Sequence, residues 1–234
     1  MESALPAWPP ERLDALNRLT TVAKLLSTAV HETGNALQVI SGHAEMLDSR
    51  PDDPPKTRVR ARTIKLHADQ AGGRLRTLVA LATAQPGPPR KLDLRSIANR
   101  AVDLRRYSLG RAQIAVTVDS DRETVPVMGD EFVLIRIIAN LLLHIEEGVR
   151  GVRGAAIKLV IAVNPPSTSL MISRNGPPLA ADAAAKLFEP FSDPNDPGPG
   201  LAVAKWLATQ QGGTLYLDDN ATEETLVLTL FGSS

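Results

Sequence analysis

Along the first fifty positions, mostly apolar residues recur at intervals of three and four. Leu19, Val22, Leu26, Ala29, Thr33, Ala36, Ile40, His43 and Leu47 fall on one line. That spacing belongs to a helix packed in a bundle. The pattern runs from Glu11 to Ser49 without a proline, just after Pro9 and Pro10. "RPDDPP" (50–55) reads as a turn, and a second helical run follows from Lys56 to Ala84, weakened by Gly72 and Gly73. "QPGPPR" (85–90) reads as a linker. The prediction is an antiparallel helical hairpin whose first helix is roughly 55–60 Å long. Two helices cannot cover both faces of such a hairpin, so a dimeric four-helix bundle is expected. His31 lies between the line positions 29 and 33 and is expected to be at least partly exposed.

From Lys91 onward the helical and extended periods mix. "DLRSIANRAVDLRR" predicts a helix capped by Asp93, and "GDEFVLIRIIANLLLHIEEG" a helix capped by Asp130. The latter is apolar at 134, 137, 138, 141, 142 and 145. "IAVTVD", "AIKLVIAV", "SLMIS", "TLYL" and "ETLVLTLF" predict strands, the last two as a closing pair. "AAKLFEPF" and "LAVAKWLATQ" predict helices. Grouped strands with helices to one side predict an α/β sandwich. The fold class is therefore α+β, with a tail (1–10), a hairpin (11–86) and a sandwich (91–234).

Composition narrows the function. Hydrophobic residues make up 43% of the 234-residue chain and aromatic ones 3%, so the core is aliphatic. Lys and Arg number 26, as do Asp and Glu, so no net field attracts nucleic acid or an anionic membrane. The absence of cysteine removes thiol chemistry and cysteine-based zinc sites. "MESALPAWPP" lacks the basic and apolar regions of a signal peptide, and no apolar run reaches the ~20 residues of a membrane helix. A soluble, cytoplasmic protein without its own sensory segment is expected.

Chemistry concentrates at "HETGN". Zinc binding on a helix needs a second histidine four residues after His31, and Asn35 stands there instead. No metal set is expected. The stretch is otherwise either a solvated polar patch or a phosphoryl acceptor. An exposed imidazole can attack phosphorus, and Glu32 beside it can take the ring proton or hold the tautomer. Asn35, one turn on, shares the face and can orient a phosphoryl oxygen or a water.

"STAVHETGNALQVISGHAEML" resembles the H-box of two-component sensor histidine kinases, and "ARTIKLHADQAGGRLRTLVALATA" resembles the second half of their dimerisation and phosphotransfer hairpin. "GDEFVLIRIIANLLLHIEEGVRG" resembles the N-box of their GHKL-type ATP-binding domain. "ISRNGPPL" stands where the G1 box belongs, "LFEPF" is similar to the F-box, and "GPGLAVAKWLATQQGGTLYL" to the G2 box. The boxes follow in family order over nearly the whole chain. The resemblance implies that His31 is the phosphoacceptor, Glu32 the acid assisting proton removal, and Asn35 the residue used to dephosphorylate a regulator. It assigns nothing to His43, His67 or Asp69, for which bundle packing or a solvated face is expected. By the same resemblance Asn140, His144, Asn175, Gly176, Gly198 and Gly200 would line a nucleotide site.

That site departs from the family. Arg174 stands where an aspartate accepts the adenine amino group, and guanidinium has no acceptor. Asn175, Gly176 and Pro177 follow as in the family, then Pro178 replaces a glycine and stiffens the loop. His144 stands where a second asparagine would bind magnesium, which prefers oxygen ligands. "SDPNDPG" (192–198) is short for the mobile lid. ATP and Mg2+ binding is thus weakened without being excluded, and no cofactor is certain. The leading expectation is a homodimer, joined through residues 11–86, whose His31 exchanges a phosphoryl group with the aspartate of a response-regulator receiver domain. Removal of that group from the regulator, using Asn35, is a variant of the same class. The rivals are an active soluble ATP-dependent histidine kinase and a non-catalytic scaffold binding a regulator or partner kinase.

Overall fold

The structure is a computed structural model that describes residues 8–49, 54–83, 87–176, 178–192 and 198–231. The tail up to residue 7, most of the expected turn (50–53), part of the linker (84–86), Pro177 and most of the short lid segment (193–197) lie outside the described residues.

Two long helices open the chain, α1 (Pro10–Ser49) and α2 (Pro54–Thr83). Pro54 and Pro55, expected in the turn, instead open α2, since proline's fixed φ suits the first helical turn and its missing N–H costs nothing there. Gly72 and Gly73 do not interrupt α2. The rest comprises β1 (Arg90–Asp93), α3 (Leu94–Asp103), α4 (Arg106–Arg111), β2 (Ala115–Ser120), β3 (Pro126–Gly129), α5 (Glu131–Val149), β4 (Ala156–Asn164), β5 (Ser167–Arg174), α6 (Ala181–Lys186), α7 (Gly200–Gln210), β6 (Thr214–Leu217) and β7 (Thr225–Phe231).

Five strands form one sheet in the order β2-β4-β5-β7-β6. Its single parallel pair is β2 with β4, and the remaining pairs are antiparallel, with Ile161 opposite Leu170 and Leu170 opposite Leu228. Helix α5 supplies the centre of the core. Leu134, Ile137, Ile138, Leu141, Leu142 and Ile145, the predicted apolar face, are all buried, as are Leu159, Ile172 and Leu228 of the sheet. Among the described residues no helix is long and apolar enough to cross a membrane.

Both expected caps form. The Asp130 carboxylate accepts from the backbone N–H of Phe132 and Val133. Asp93 accepts from Arg95 and Ser96, and also from Val125 just before β3. Asp93→Ala is expected to cost about 1 kcal/mol or somewhat more, read from the urea midpoint, because a cap and a bridge are lost together.

The sandwich differs from the sequence reading in three features. The helix expected through "DLRSIANRAVDLRR" ends at Asp103, and α4 follows as a separate short helix. The small antiparallel sheet of β1 and β3 was not expected, since four-residue strands carry too little alternation to register. The helix expected through "AAKLFEPF" stops at Lys186, and Leu187 to Phe191 form turns. Pro190 disfavours a helical conformation at Glu189, and Phe191 has φ +63°.

The line along α1 also divides. Ala29 and Ala36 are buried, but Leu19 is 69% and Leu26 48% exposed, and Leu25, at 0%, takes the inward place. The reason is what α1 packs against. Its first half lies on the sandwich, burying Leu13, Asp14, Asn17, Thr21, Leu25 and Thr28, while its second half packs along α2. The outward face keeps Leu19, Leu26, Val30 and Leu37, four apolar residues at heptad-like spacing that stay exposed among the described residues.

Candidate phosphoacceptor and nucleotide-like sites

His31 sits mid-way along α1 with its side chain exposed. Its ring stacks on Tyr107 of α4, with centroids 4.8 Å apart and planes at 21°. Among the described residues neither ring nitrogen has a hydrogen-bond partner, so the in-plane lone pair is free to attack. Glu32 turns toward α2, where one carboxylate oxygen lies 3.0 Å from the Nε of Arg74. Burial pushes the Glu32 carboxyl up, Arg74 pulls it down, Asp103 raises it and Arg106 lowers it, and the balance is upward. A carboxylate shifted this way is a stronger base for the imidazole proton. Asn35 is exposed on the next turn. His43 and His67 are half-buried in the hairpin, and Asp69 pairs with Lys65 at 2.6 Å on the surface of α2.

The nucleotide-like residues gather at the other end of the α1 contact. Asn140, on α5, is buried with both ends of its amide engaged. Its Oδ1 accepts from Asn17 Nδ2 at 3.1 Å and Thr21 Oγ1 at 2.8 Å. Its Nδ2 donates to Asn17 Oδ1 at 3.0 Å. Asp14 contacts Arg136 and Arg18, each at 2.7 Å, and Trp8 packs on Phe191 with ring centroids 5.9 Å apart. The start of α1 therefore covers the face on which Asn140 sits.

One turn beyond Asn140, His144 Nε2 donates to Glu224 Oε1 at 2.8 Å. The other oxygen of Glu224 accepts from Arg174 Nε at 2.6 Å. Glu224 is 2% exposed, so a single buried carboxylate joins the two positions that depart most from the family. Arg174 lies flat along α5, where a Cβ added to Gly148 would stand 2.7 Å from its Nε. Asn175 staples the loops instead of facing a ligand: its Oδ1 accepts from Ala156 N and its Nδ2 donates to Gly154 O. Gly176 has φ +122°, a conformation suited to glycine. Pro178 is exposed. Gly198 and Gly200 flank Pro199 at the start of α7, and a Cβ on Gly200 would lie 3.6 Å from Asn140 Oδ1.

A magnesium nucleotide does not fit these residues as arranged. The Asn140 amide is committed to Asn17 and Thr21, the position expected to hold magnesium carries His144, itself committed to Glu224, and the position expected to meet adenine presents a paired guanidinium. No group of three metal-ligating side chains occurs among the described residues. Tyr107, Arg74, Asn17, Thr21 and Glu224 escaped the sequence reading. None lies in a family box, and only the acidic pair "EE" ahead of the last strand hinted at Glu224.

Comparison with known proteins agrees with the layout. The C4-dicarboxylate transport sensor protein DctB of Rhizobium meliloti is 24% identical over 139 residues, 58% of this chain and 22% of that protein. The sensory histidine kinase/phosphatase NtrB of the same organism is 22% identical over 221 residues, 88% of this chain and 57% of that protein. The catalytic domain of histidine kinase ThkA superposes with a TM-score of 0.56 at 16% identity, covering 62% of this chain and 98% of that domain. The chain is similar to two-component sensor histidine kinases in sequence and in fold. ThkA in complex with the response regulator TrrA matches 92% of this chain and 63% of that one, with a TM-score of 0.56 at 16% identity, so the resemblance in fold spans hairpin and sandwich together. No family model matches the chain. The chain spans less than two thirds of the length of these curated relatives.

Proposed function

We propose that this protein is a two-component phosphotransfer protein in which His31 exchanges a phosphoryl group with the aspartate of a response-regulator receiver domain. One contrast carries the reading. The phosphoacceptor histidine is exposed with both nitrogens free, while the nucleotide-like face is filled by the chain's own side chains. In the forward step a His31 ring nitrogen attacks the phosphorus of the aspartyl phosphate. The N–P bond forms, the P–O bond to the aspartate breaks, and the aspartate leaves as carboxylate. The proton on the imidazole passes to Glu32 or to water, and the reverse step returns the phosphoryl group. The regulator in the ThkA complex and the kinase/phosphatase NtrB support a receiver domain as partner.

The protein acts as a homodimer through residues 11–86. The uncovered line Leu19, Leu26, Val30 and Leu37, with Val59, Leu66 and Val79 on α2, supports a four-helix bundle as its cover. Residues 91–234 then serve as a docking and bracing module, and the protein works in the cytoplasm. A second reading, an ATP-dependent kinase, requires α1 to leave Asn140 and Arg174 to leave Glu224.

The test pairs two donors. Purified wild type and His31→Ala are mixed with a labelled phospho-receiver, and separately with magnesium and γ-labelled ATP. The expected result is acid-labile label on wild type alone, from the receiver and not from ATP. Label from ATP would establish the kinase instead. Regulator label lost as inorganic phosphate, unaffected by His31→Ala but abolished by Asn35→Ala, would establish the phosphatase. No label from either donor, with the regulator unchanged, would leave the scaffold.

A further inference from the structure

We propose that Tyr107 is a positioning residue for the phosphoacceptor, holding the His31 imidazole by its face so that both nitrogens stay free. The inference rests on the phosphotransfer reading above. It names what the sandwich domain contributes when no nucleotide fits it.

The stack alone would be a surface contact, but the element beneath it is anchored. The Arg105 guanidinium, at the cap of α4, donates to Glu146 from Nε and Nη2 at 2.7–2.9 Å and to the carbonyl of Lys24 from Nη1 at 2.9 Å. Ser108 meets Thr28 of α1 at 2.7 Å between hydroxyl oxygens. Lys24, Thr28 and His31 are successive turns of one face of α1, and each meets a residue within 105–108. Tyr107 is thus flanked in the chain by two residues, Arg105 and Ser108, that are tied to α1, and the Arg111 guanidinium lies 6.0 Å from the tyrosine ring centroid.

The geometry suits the chemistry. A histidine oriented by a hydrogen bond gives up one nitrogen to its partner. A histidine oriented by stacking gives up neither, because the reacting lone pair lies in the ring plane and the support lies above it. Attack on phosphorus takes place in that plane, so the tyrosine orients the nucleophile without standing in the path of the phosphoryl group. Fixing the ring before encounter removes a rotational degree of freedom from the transition state.

The test compares full-length wild type, Tyr107→Phe and Tyr107→Ala. Single-turnover transfer from a phosphorylated receiver is measured against receiver concentration, and the His31 ring protons are followed by NMR. The expected result is a transfer rate constant about tenfold or more lower in Tyr107→Ala, with the half-saturating receiver concentration unchanged. Tyr107→Phe, which keeps the ring, stays near wild type. The His31 ring protons, shielded by the tyrosine face, move downfield in Tyr107→Ala only. Tyr107→Ala that transfers as fast as wild type overturns the role of Tyr107 and leaves the phosphotransfer reading standing. So does an unchanged His31 spectrum. A fall confined to half-saturation makes Tyr107 a receiver contact and overturns positioning. Wild type that accepts no phosphoryl group overturns both.

Discussion

Glu224→Ala is expected to remove about 3–5 kcal/mol of stability, because it leaves two buried donors facing a cavity. Arg174 and His144 each give their hydrogen bond to this one carboxylate, and both are about nine-tenths buried. Without it the Arg174 guanidinium loses the acceptor that the described residues give it, and Gly148 offers no side chain in exchange. The check is the urea midpoint by circular dichroism, with Glu224→Gln as companion. Glutamine preserves the shape and one acceptor, so it should recover part of the loss. A change below about 1 kcal/mol in the alanine variant would mean that Arg174 is free to leave the pocket, which would reopen it to ligand.

The same carboxylate sets an acid limit. Burial alone would raise the Glu224 carboxyl, but the hydrogen bonds and charges of His144 and Arg174 outweigh it and hold it below its ordinary value. An acid held lower in the folded state than in the unfolded chain binds fewer protons when folded. Its contribution is therefore fully present above the ordinary carboxylate range and is lost as pH falls through the depressed folded value. Wild type should lose stability across that acid window more steeply than Glu224→Ala, which has no such group to protonate.

Arg105→Ala should be comparably damaging, about 3–5 kcal/mol, for a related reason at another place. Arg105 and Glu146 are almost wholly buried, and the pair is bidentate. Removing the arginine leaves Glu146 with Arg150, 3.5 Å away and largely in solvent, as its remaining cation. It also removes the bond by which the sandwich holds the Lys24 carbonyl of α1, so the damage extends from the sandwich into α1. Amide hydrogen exchange should report this as lost protection in the first half of α1, beyond the global fall in stability. Arg105→Met with Glu146→Leu should regain most of the loss, since an apolar pair of similar size leaves no buried charge. Exchange in α1 that follows only the global change would mean that the hairpin docks without this arginine.

Both variants bear on one question, which is how the sandwich domain and α1 are held together. The contacts made by Asn140, Arg174, His144 and Arg105 are internal: Arg174 and His144 share Glu224, while Asn140 and Arg105 brace α1. Tyr107 stands at the end of that brace, under His31.

Much of the layout was legible along the chain. The three-four spacing, the aspartate caps and the alternating strands report local preferences that hold wherever the segment is placed, and they specify α1, α2, α5 and most of the sheet. The "HETGN" spacing likewise puts His31, Glu32 and Asn35 along one helix, because residue intervals determine angles around its axis. What α1 faces is another matter. Leu25 is inward and Leu26 outward because the first half of the helix lies on the sandwich, and helical periodicity cannot distinguish a partner helix from a sheet-backed domain. Arg174 and His144 were visible as departures, but their shared carboxylate lies 50 and 80 residues away in the chain. The stack of Tyr107 on His31 depends in the same way on chain segments that only the fold brings together. Pairings at that separation leave no periodic trace, so the tertiary structure alone decided that Arg174 and His144 share Glu224 and that His31 rests on a tyrosine.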